Sequence, residues 1–154
     1  MNCCATDISS EPMAQRCGTC KGQTRPVSRK TVLLMLKPHL LEQALTGVFG
    51  FCPARDCPVV YFEDHDRRMF TKDDLRVIVG IKASESPIPL CYCFGLDESH
   101  LRSEISRTGK TTIPEKISRL IREGLCACEA RNPAGVCCLG ELNQAAKRLV
   151  EKKR

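Results

Sequence analysis

Cysteine spacing constrains this chain more than any other feature. Cysteines stand at 3, 4, 17, 20, 52, 57, 91, 93, 126, 128, 137 and 138, each with another no more than five positions away. A close pair presents two sulfurs from one turn, and two such turns can close around an ion. No basic stretch followed by an apolar run opens the chain, so no secretory signal is read. The longest aliphatic run, 32–36, is far too short to cross a bilayer. The expectation is a cytoplasmic chain with no membrane insertion, in a reducing environment where thiolates bind metals more often than they pair.

The first half carries Cys17-x2-Cys20 and, after 31 intervening residues, Cys52-x4-Cys57. Zinc favours a tetrahedron of four such sulfurs from turns of this spacing. Gly18 and Gly22 suit amides turned toward the first pair, and Pro53 and Pro58 stiffen the second. Cys17, Cys20, Cys52 and Cys57 are therefore candidate structural Zn2+ ligands, with two surface disulfides or free thiols as the alternative. Four thiolates leave no open position for catalysis. His39 and His65 are possible substitute ligands, although isolated histidines are usually plain surface residues.

The second half carries Cys91-x-Cys93, Cys126-x-Cys128 and Cys137-Cys138. Cys-x-Cys is too tight for an unstrained disulfide, but it can place two sulfurs at one iron of a [2Fe–2S] cluster. A helix starting near Leu139 would aim its positive end at such an anion. The spacing differs from the plant-type ferredoxin run, so zinc remains open here.

Around these pairs the pattern predicts an α+β chain of two small parts. Strands are expected at 31–36, 49–52, 59–62 and 68–70, and a helix from Pro38 to Gly47. Thr71 and Asp74 resemble a capping box. The stretch 83–90, with two prolines, reads as a linker. Beyond it Asp97 caps a helix ended by Gly109, Thr112 and Glu115 form a capping box for a helix ended by Gly124, and a last helix buries Leu142, Ala146, Leu149 and Val150. The boundaries are a flexible tail 1–15, a zinc-binding α+β domain 16–82, the linker 83–90 and a helical domain 91–151. Parts this small often need a metal or disulfide staple.

Net charge is +6, of which +4 falls in 147–154. No aromatic residues interleave that run, so it reads as a solvated helix end and not as a nucleic-acid surface. No nucleotide-binding glycine loop, Gly-x-Ser-x-Gly elbow or His-Glu-x-x-His motif is present, so an enzyme is not expected.

The segment PIPLCYCFGLDESHL at 87–101 and LCACEARNPAGVCCLGEL at 125–142 resemble the [2Fe–2S] domain of bacterioferritin-associated ferredoxin (BFD). With Cys17-Gly-Thr-Cys20, FCPARDCPVVYF at 51–62 and VGIK at 79–82, the chain from about residue 16 to 149 resembles the N-terminal region of CopZ-type copper chaperones. The resemblance implies a small zinc-binding α/β module followed by a helical BFD-like [2Fe–2S] module. It places zinc on Cys17, Cys20, Cys52 and Cys57, and the cluster on Cys91, Cys93, Cys128 and Cys138. Cys138 is preferred to Cys137 because Cys138-x-x-Glu141-Leu142 repeats the family's entry to the last helix. Cys126 is an extra that could replace Cys128. The family's Met-x-Cys-x-x-Cys copper loop does not occur in this sequence. The implied function is one-electron redox coupled to handling of a thiophilic metal, copper or mercury. The implied partners are a metal-transport or metal-chaperone protein and a redox partner. The alternative is a trafficking or buffering adaptor whose zinc and cluster are structural or sensory. The vicinal Cys3-Cys4 could capture cargo, and His100 could tune the cluster, although each also reads as an ordinary exposed residue.

Overall fold

The computed structural model describes residues 15–153. The expectations for a flexible tail and for Cys3-Cys4 lie outside them, apart from residue 15.

The first half is a four-stranded antiparallel sheet, β1 (Arg25–Val27), β2 (Phe49–Phe51), β3 (Val59–Glu63) and β4 (Arg68–Thr71), in that spatial order. Helix α1 (Arg29–Met35) covers it. A strand was expected at 31–36, but the segment is helical. A short apolar run reads equally well as a buried strand or a buried helix, and local capping decides here. The Ser28 hydroxyl accepts the Thr31 amide at 3.1 Å, and Thr31, Val32 and Met35 then share the buried face. Pro38 opens a 3-10 helix (Pro38–Ala44) in place of the expected α-helix. The Thr71–Asp74 box forms, with the Asp74 carboxylate accepting the Thr71 amide at 2.7 Å.

Every residue of β3 is buried. A register shift between Val59 and Tyr61 divides its side chains between two clusters. Val60 and Tyr61 join Val32, Leu36, Phe49, Phe51 and Phe70 in the main core. Val59 and Phe62 pack with Cys17, Cys52 and Cys57.

The second half begins with a hairpin, β5 (Pro89–Cys91) and β6 (Leu96–Asp97), that the sequence pattern did not reveal. Helices α2 (Glu98–Thr108), α3 (Ile113–Arg122), α4 (Cys128–Arg131) and α5 (Leu139–Lys153) follow. Asp97 caps α2 through the Ser99 amide at 2.8 Å. Gly109 ends it at φ +81°, a conformation glycine adopts without a side-chain clash. The core gathers Leu90, Leu101, Ile105, Ile117, Leu142 and Leu149.

The expected Thr112–Glu115 box does not form. The Thr112 side chain makes no capping bond to its own helix. It donates instead to Glu104 of α2 at 2.7 Å, and Glu104 also accepts Thr111 Oγ1 at 2.6 Å and the Thr112 amide at 3.1 Å. A carboxylate from the previous helix thus supplies the negative group at the start of α3. The basic C-terminal run is similarly occupied within the fold. Arg148 meets the buried Glu98 at 3.1 Å, and Lys153 Nζ donates to the Ile105 and Ser106 carbonyls at 2.6 and 3.0 Å.

The two halves meet through the stretch around α4. Thr31 Oγ1 donates to the Glu129 carbonyl at 2.8 Å, and the Tyr61 hydroxyl to the Pro133 carbonyl at 2.5 Å. Burial holds the Tyr61 phenol far above its ordinary ionisation range, so it remains a donor.

Two predictions follow from these contacts. Tyr61→Phe leaves a buried carbonyl without its donor, and urea unfolding should show a loss of about 1–2 kcal/mol. The Thr111 hydroxyl, then Thr112, holds the Glu104 carboxyl down at about 2 against an ordinary value of 4.5. Because the folded value is the lower, its stabilisation is present above the ordinary value and is lost as pH falls toward about 2. Glu104→Gln should flatten that part of the acid-unfolding profile, followed by circular dichroism.

Candidate metal centres

The first cysteine pair sits on a tight knuckle. The Cys17 amide donates to the Gly22 carbonyl at 2.9 Å, and the Lys21 amide to the Cys17 carbonyl at 3.0 Å. Lys21 lies at φ +62°, which reverses the chain. The Gly22 amide then points at Cys20 Sγ, 3.4 Å away. Gly18 is needed for packing, since a β-carbon there would come within 2.8 Å of the Phe62 ring. The second pair flanks the loop that leaves β2. The Cys52 amide is held by the Val60 carbonyl at 2.8 Å, and the Cys57 amide by that of Ala54 at 3.4 Å.

These turns bring four sulfurs within 4.8 Å of one another. Cys17 Sγ is 3.8 Å from Cys57 Sγ, and Cys20 Sγ is 3.7 Å from Cys52 Sγ. A tetrahedral zinc with Zn–S bonds of about 2.3 Å requires sulfurs about 3.8 Å apart, so the donor set fits that ion. Cys17, Cys52 and Cys57 are buried, while Cys20 is exposed. Neither His39 nor His65 belongs to the group, and His65 faces Asp66 at 2.9 Å.

The electrostatics differ across the site. The Gly22 amide lowers the Cys20 thiol to about 7, while burial pushes Cys52 up to about 12 and raises Cys57 as well. Buried thiols of this kind give up their protons when a cation takes their place.

Sequence reading did not single out Lys82, which is 6% exposed. Its ammonium donates to the Ala54 carbonyl at 2.6 Å and to the Cys57 carbonyl at 2.9 Å. It closes the second cysteine loop and places a positive charge beside Cys52. The only signal for it was its position in VGIK at 79–82.

The second set assembles at the ends of three elements and in one turn. Cys91 ends β5, Cys93 lies in the hairpin turn, Cys128 starts α4 and Cys138 immediately precedes α5. Cys93 Sγ lies 3.7 Å from Cys128 Sγ and accepts the Ala127 amide at 3.1 Å. The Cys138 thiol is raised by its neighbours Cys128 and Cys91, and in turn it lowers Cys91 to about 7. Burial raises Cys93 to about 11. Cys137 is exposed. Cys126 departs from the expectation of unpaired thiols, being disulfide-bonded. The fold thus brings Cys91, Cys93, Cys128 and Cys138 into one neighbourhood. His100 is held by the Asp97 amide at 3.1 Å as part of the α2 cap.

Tyr92, between the first two cysteines of this set, was also missed. Its hydroxyl accepts the Gly80 amide at 2.9 Å and donates to the Ile78 carbonyl at 2.7 Å.

Residues 14–76 match the family model of a CopZ zinc binding domain. Over 124 residues the chain is 34% identical to the copper chaperone CopZ of Archaeoglobus fulgidus, covering 80% of this chain and 57% of that protein. The chain therefore spans a little over half the length of this curated relative. The X-ray structure of the Archaeoglobus fulgidus CopZ N-terminal domain superposes with a TM-score of 0.70 at 33% identity, covering 84% of this chain and 96% of that domain.

For the first centre, elemental analysis should find one zinc per chain. Cys52→Ser, at a buried corner, should lose it and destabilise the 16–82 region by several kcal/mol, since a structural zinc contributes on the order of 10 kcal/mol to folding.

Proposed function

Given that this chain belongs to the CopZ family by its match to the N-terminal domain, we propose that it is a two-centre metalloprotein acting in copper handling. In this reading Cys17, Cys20, Cys52 and Cys57 hold a structural zinc. Cys91, Cys93, Cys128 and Cys138 hold a [2Fe–2S] cluster in a BFD-like module, with residues 16–82 and 91–151 as the two domains and 83–90 as their linker. The cargo is a thiophilic ion, copper or mercury. The partners are a metal-transport or chaperone protein and an electron donor. The Archaeoglobus fulgidus relative, a copper chaperone, supports copper over mercury.

The observation that carries the cluster assignment is the gathering of Cys91, Cys93, Cys128 and Cys138. Cys93 and Cys128 lie 3.7 Å apart and Cys91 is hydrogen-bonded to Cys138, so the four sulfurs form two close pairs, one for each iron of a two-iron rhomb. When bound, such a cluster accepts and returns one electron, as conversion of Cu(II) to Cu(I) requires.

The chain's own groups prepare that site. The Ala127 amide donates to Cys93 Sγ. Amides of Phe94 and Cys93 favour the ionised form of Cys91. The first turn of α5 follows Cys138 directly, and its free amides favour negative charge nearby. Hydrogen bonds to cluster sulfurs and burial are the levers by which a protein sets the potential of such a group.

Anaerobically purified protein should contain two irons and two sulfides per chain in addition to zinc. Its visible absorption should bleach with dithionite, with an EPR signal from the reduced state. A colourless protein after reconstitution would overturn the cluster assignment. Cys93→Ala should remove the colour and lower the melting temperature of the helical half. Stoichiometric reduction of added Cu(II) by the dithionite-reduced, desalted protein would support the redox role, and no copper reduction would refute it.

A further inference from the structure

We propose that Lys82 is the built-in counter-cation of the zinc centre, and that Tyr92 holds it in place from the second centre. The proposal concerns the chain's own residues and rests on the zinc reading of the four-sulfur site. Four thiolates around Zn2+ carry a net charge of −2. In a buried site that excess is costly without compensation. Among the described residues Lys82 is the buried lysine, and its ammonium is fixed by the Ala54 and Cys57 carbonyls of the second cysteine loop. Its bond to the Cys57 carbonyl sets it beside the buried Cys57, and its charge acts on the buried Cys52. Solvent screens a charge least at buried groups.

The ammonium is also braced from behind. Lys82 ends a single 3-10 turn, Gly80–Lys82. The Gly80 amide is held by the Tyr92 hydroxyl at 2.9 Å, and that hydroxyl donates to Ile78. Gly80 is pressed against the second half so closely that a β-carbon would lie 2.0 Å from the Pro89 carbonyl oxygen. A continuous path thus runs from the Cys91-Tyr92-Cys93 hairpin, through the Gly80 turn and the Lys82 ammonium, to the Cys57 carbonyl. Lys82 and Tyr92 are positioning residues, because neither offers an atom to the metal.

The test uses the full chain loaded with zinc, in competition with a chromophoric chelator, and then with Co2+ as a spectroscopic substitute. Lys82→Gln keeps a hydrogen-bond donor but removes the charge. It should weaken zinc by about tenfold or more and move the thiolate-to-cobalt absorption to lower energy, because the sulfurs lose a nearby cation. Lys82→Arg keeps the charge and should stay within about threefold of wild type with an unshifted band. Tyr92→Phe should speed zinc release several-fold and leave the band in place, since the ammonium remains. Equal zinc affinity in Lys82→Gln and wild type would overturn the proposal. So would a Lys82→Arg protein as weak as Lys82→Gln, which would make the role purely one of packing. Zinc release from Tyr92→Phe at the wild-type rate would remove the brace. A wild-type chain that retains no zinc would instead refute the reading of the site. Should Lys82→Gln fail to fold, a Lys82→Arg protein about tenfold or more weaker in zinc than wild type, or with a shifted band, would overturn the proposal.

Discussion

Concentrating sulfur inside a small protein creates an electrostatic problem. Three of the four thiols in the first group are buried, and burial, above the other influences on it, pushes Cys52 up to about 12. Without a cation, burial keeps Cys52 and Cys57 protonated, and neutral thiols are weak hydrogen-bond partners with little to hold the knuckle against the loop. A divalent ion changes the balance, because it replaces the protons and ties two distant turns together. Around the site, β3 supplies Val59 and Phe62 as an apolar wall, and Gly18 lets the knuckle lie directly on the Phe62 ring. The shape of the first half follows from closing that group at one end of the sheet while the main core fills the other.

The two halves depend on each other more than a linker would suggest. Thr31 of α1 and Tyr61 of β3 both reach carbonyls in the segment that carries Cys128. Gly135, at φ +69°, fits against Thr31 and Val27. That segment has little regular structure of its own beyond the single turn of α4, so the first half's surface shapes it. Two cysteines of the second group, Cys128 and Cys138, lie at its ends. Their position relative to Cys91 and Cys93 is therefore set partly by contacts with a sheet far away in sequence. Each half is small, and its core is correspondingly limited. Sharing the 128–138 segment adds burial that neither half has alone.

What the sequence disclosed was what local chemistry decides. Asp97 and Gly109 bound a helix because a side-chain cap and a left-handed glycine act within a few residues. Thr71 and Asp74 close their box for the same reason. The cysteine pairs were legible because a two- or four-residue spacing already fixes two sulfurs to one turn. Local reasoning failed where distant groups decide. The run at 31–36 has strand-forming residues, but the Ser28 cap and the sheet beneath turn it into a helix. Thr112 looked like its own helix cap until Glu104 of the preceding helix took its hydroxyl. β1 is three residues long and exists through pairing with β2. Lys82 and Tyr92 have no local signature, since their partners lie 25 to 28 and 12 to 14 positions away.

The two sulfur groups differ in a way that bears on their division of labour. The first is compact, with sulfur separations that match a single tetrahedral ion, and the Lys82 ammonium is locked beside it. A closed site with a fixed counter-charge suits permanence. The second draws its sulfurs from a hairpin turn and three element ends, two of them bounding an irregular segment, and it lies beside a helix N-terminus. Such a site can accommodate a larger anionic group and adjust as its charge changes by one. The proposed arrangement therefore assigns the invariant ion to the rigid sheet and the group that changes charge to the loop ends.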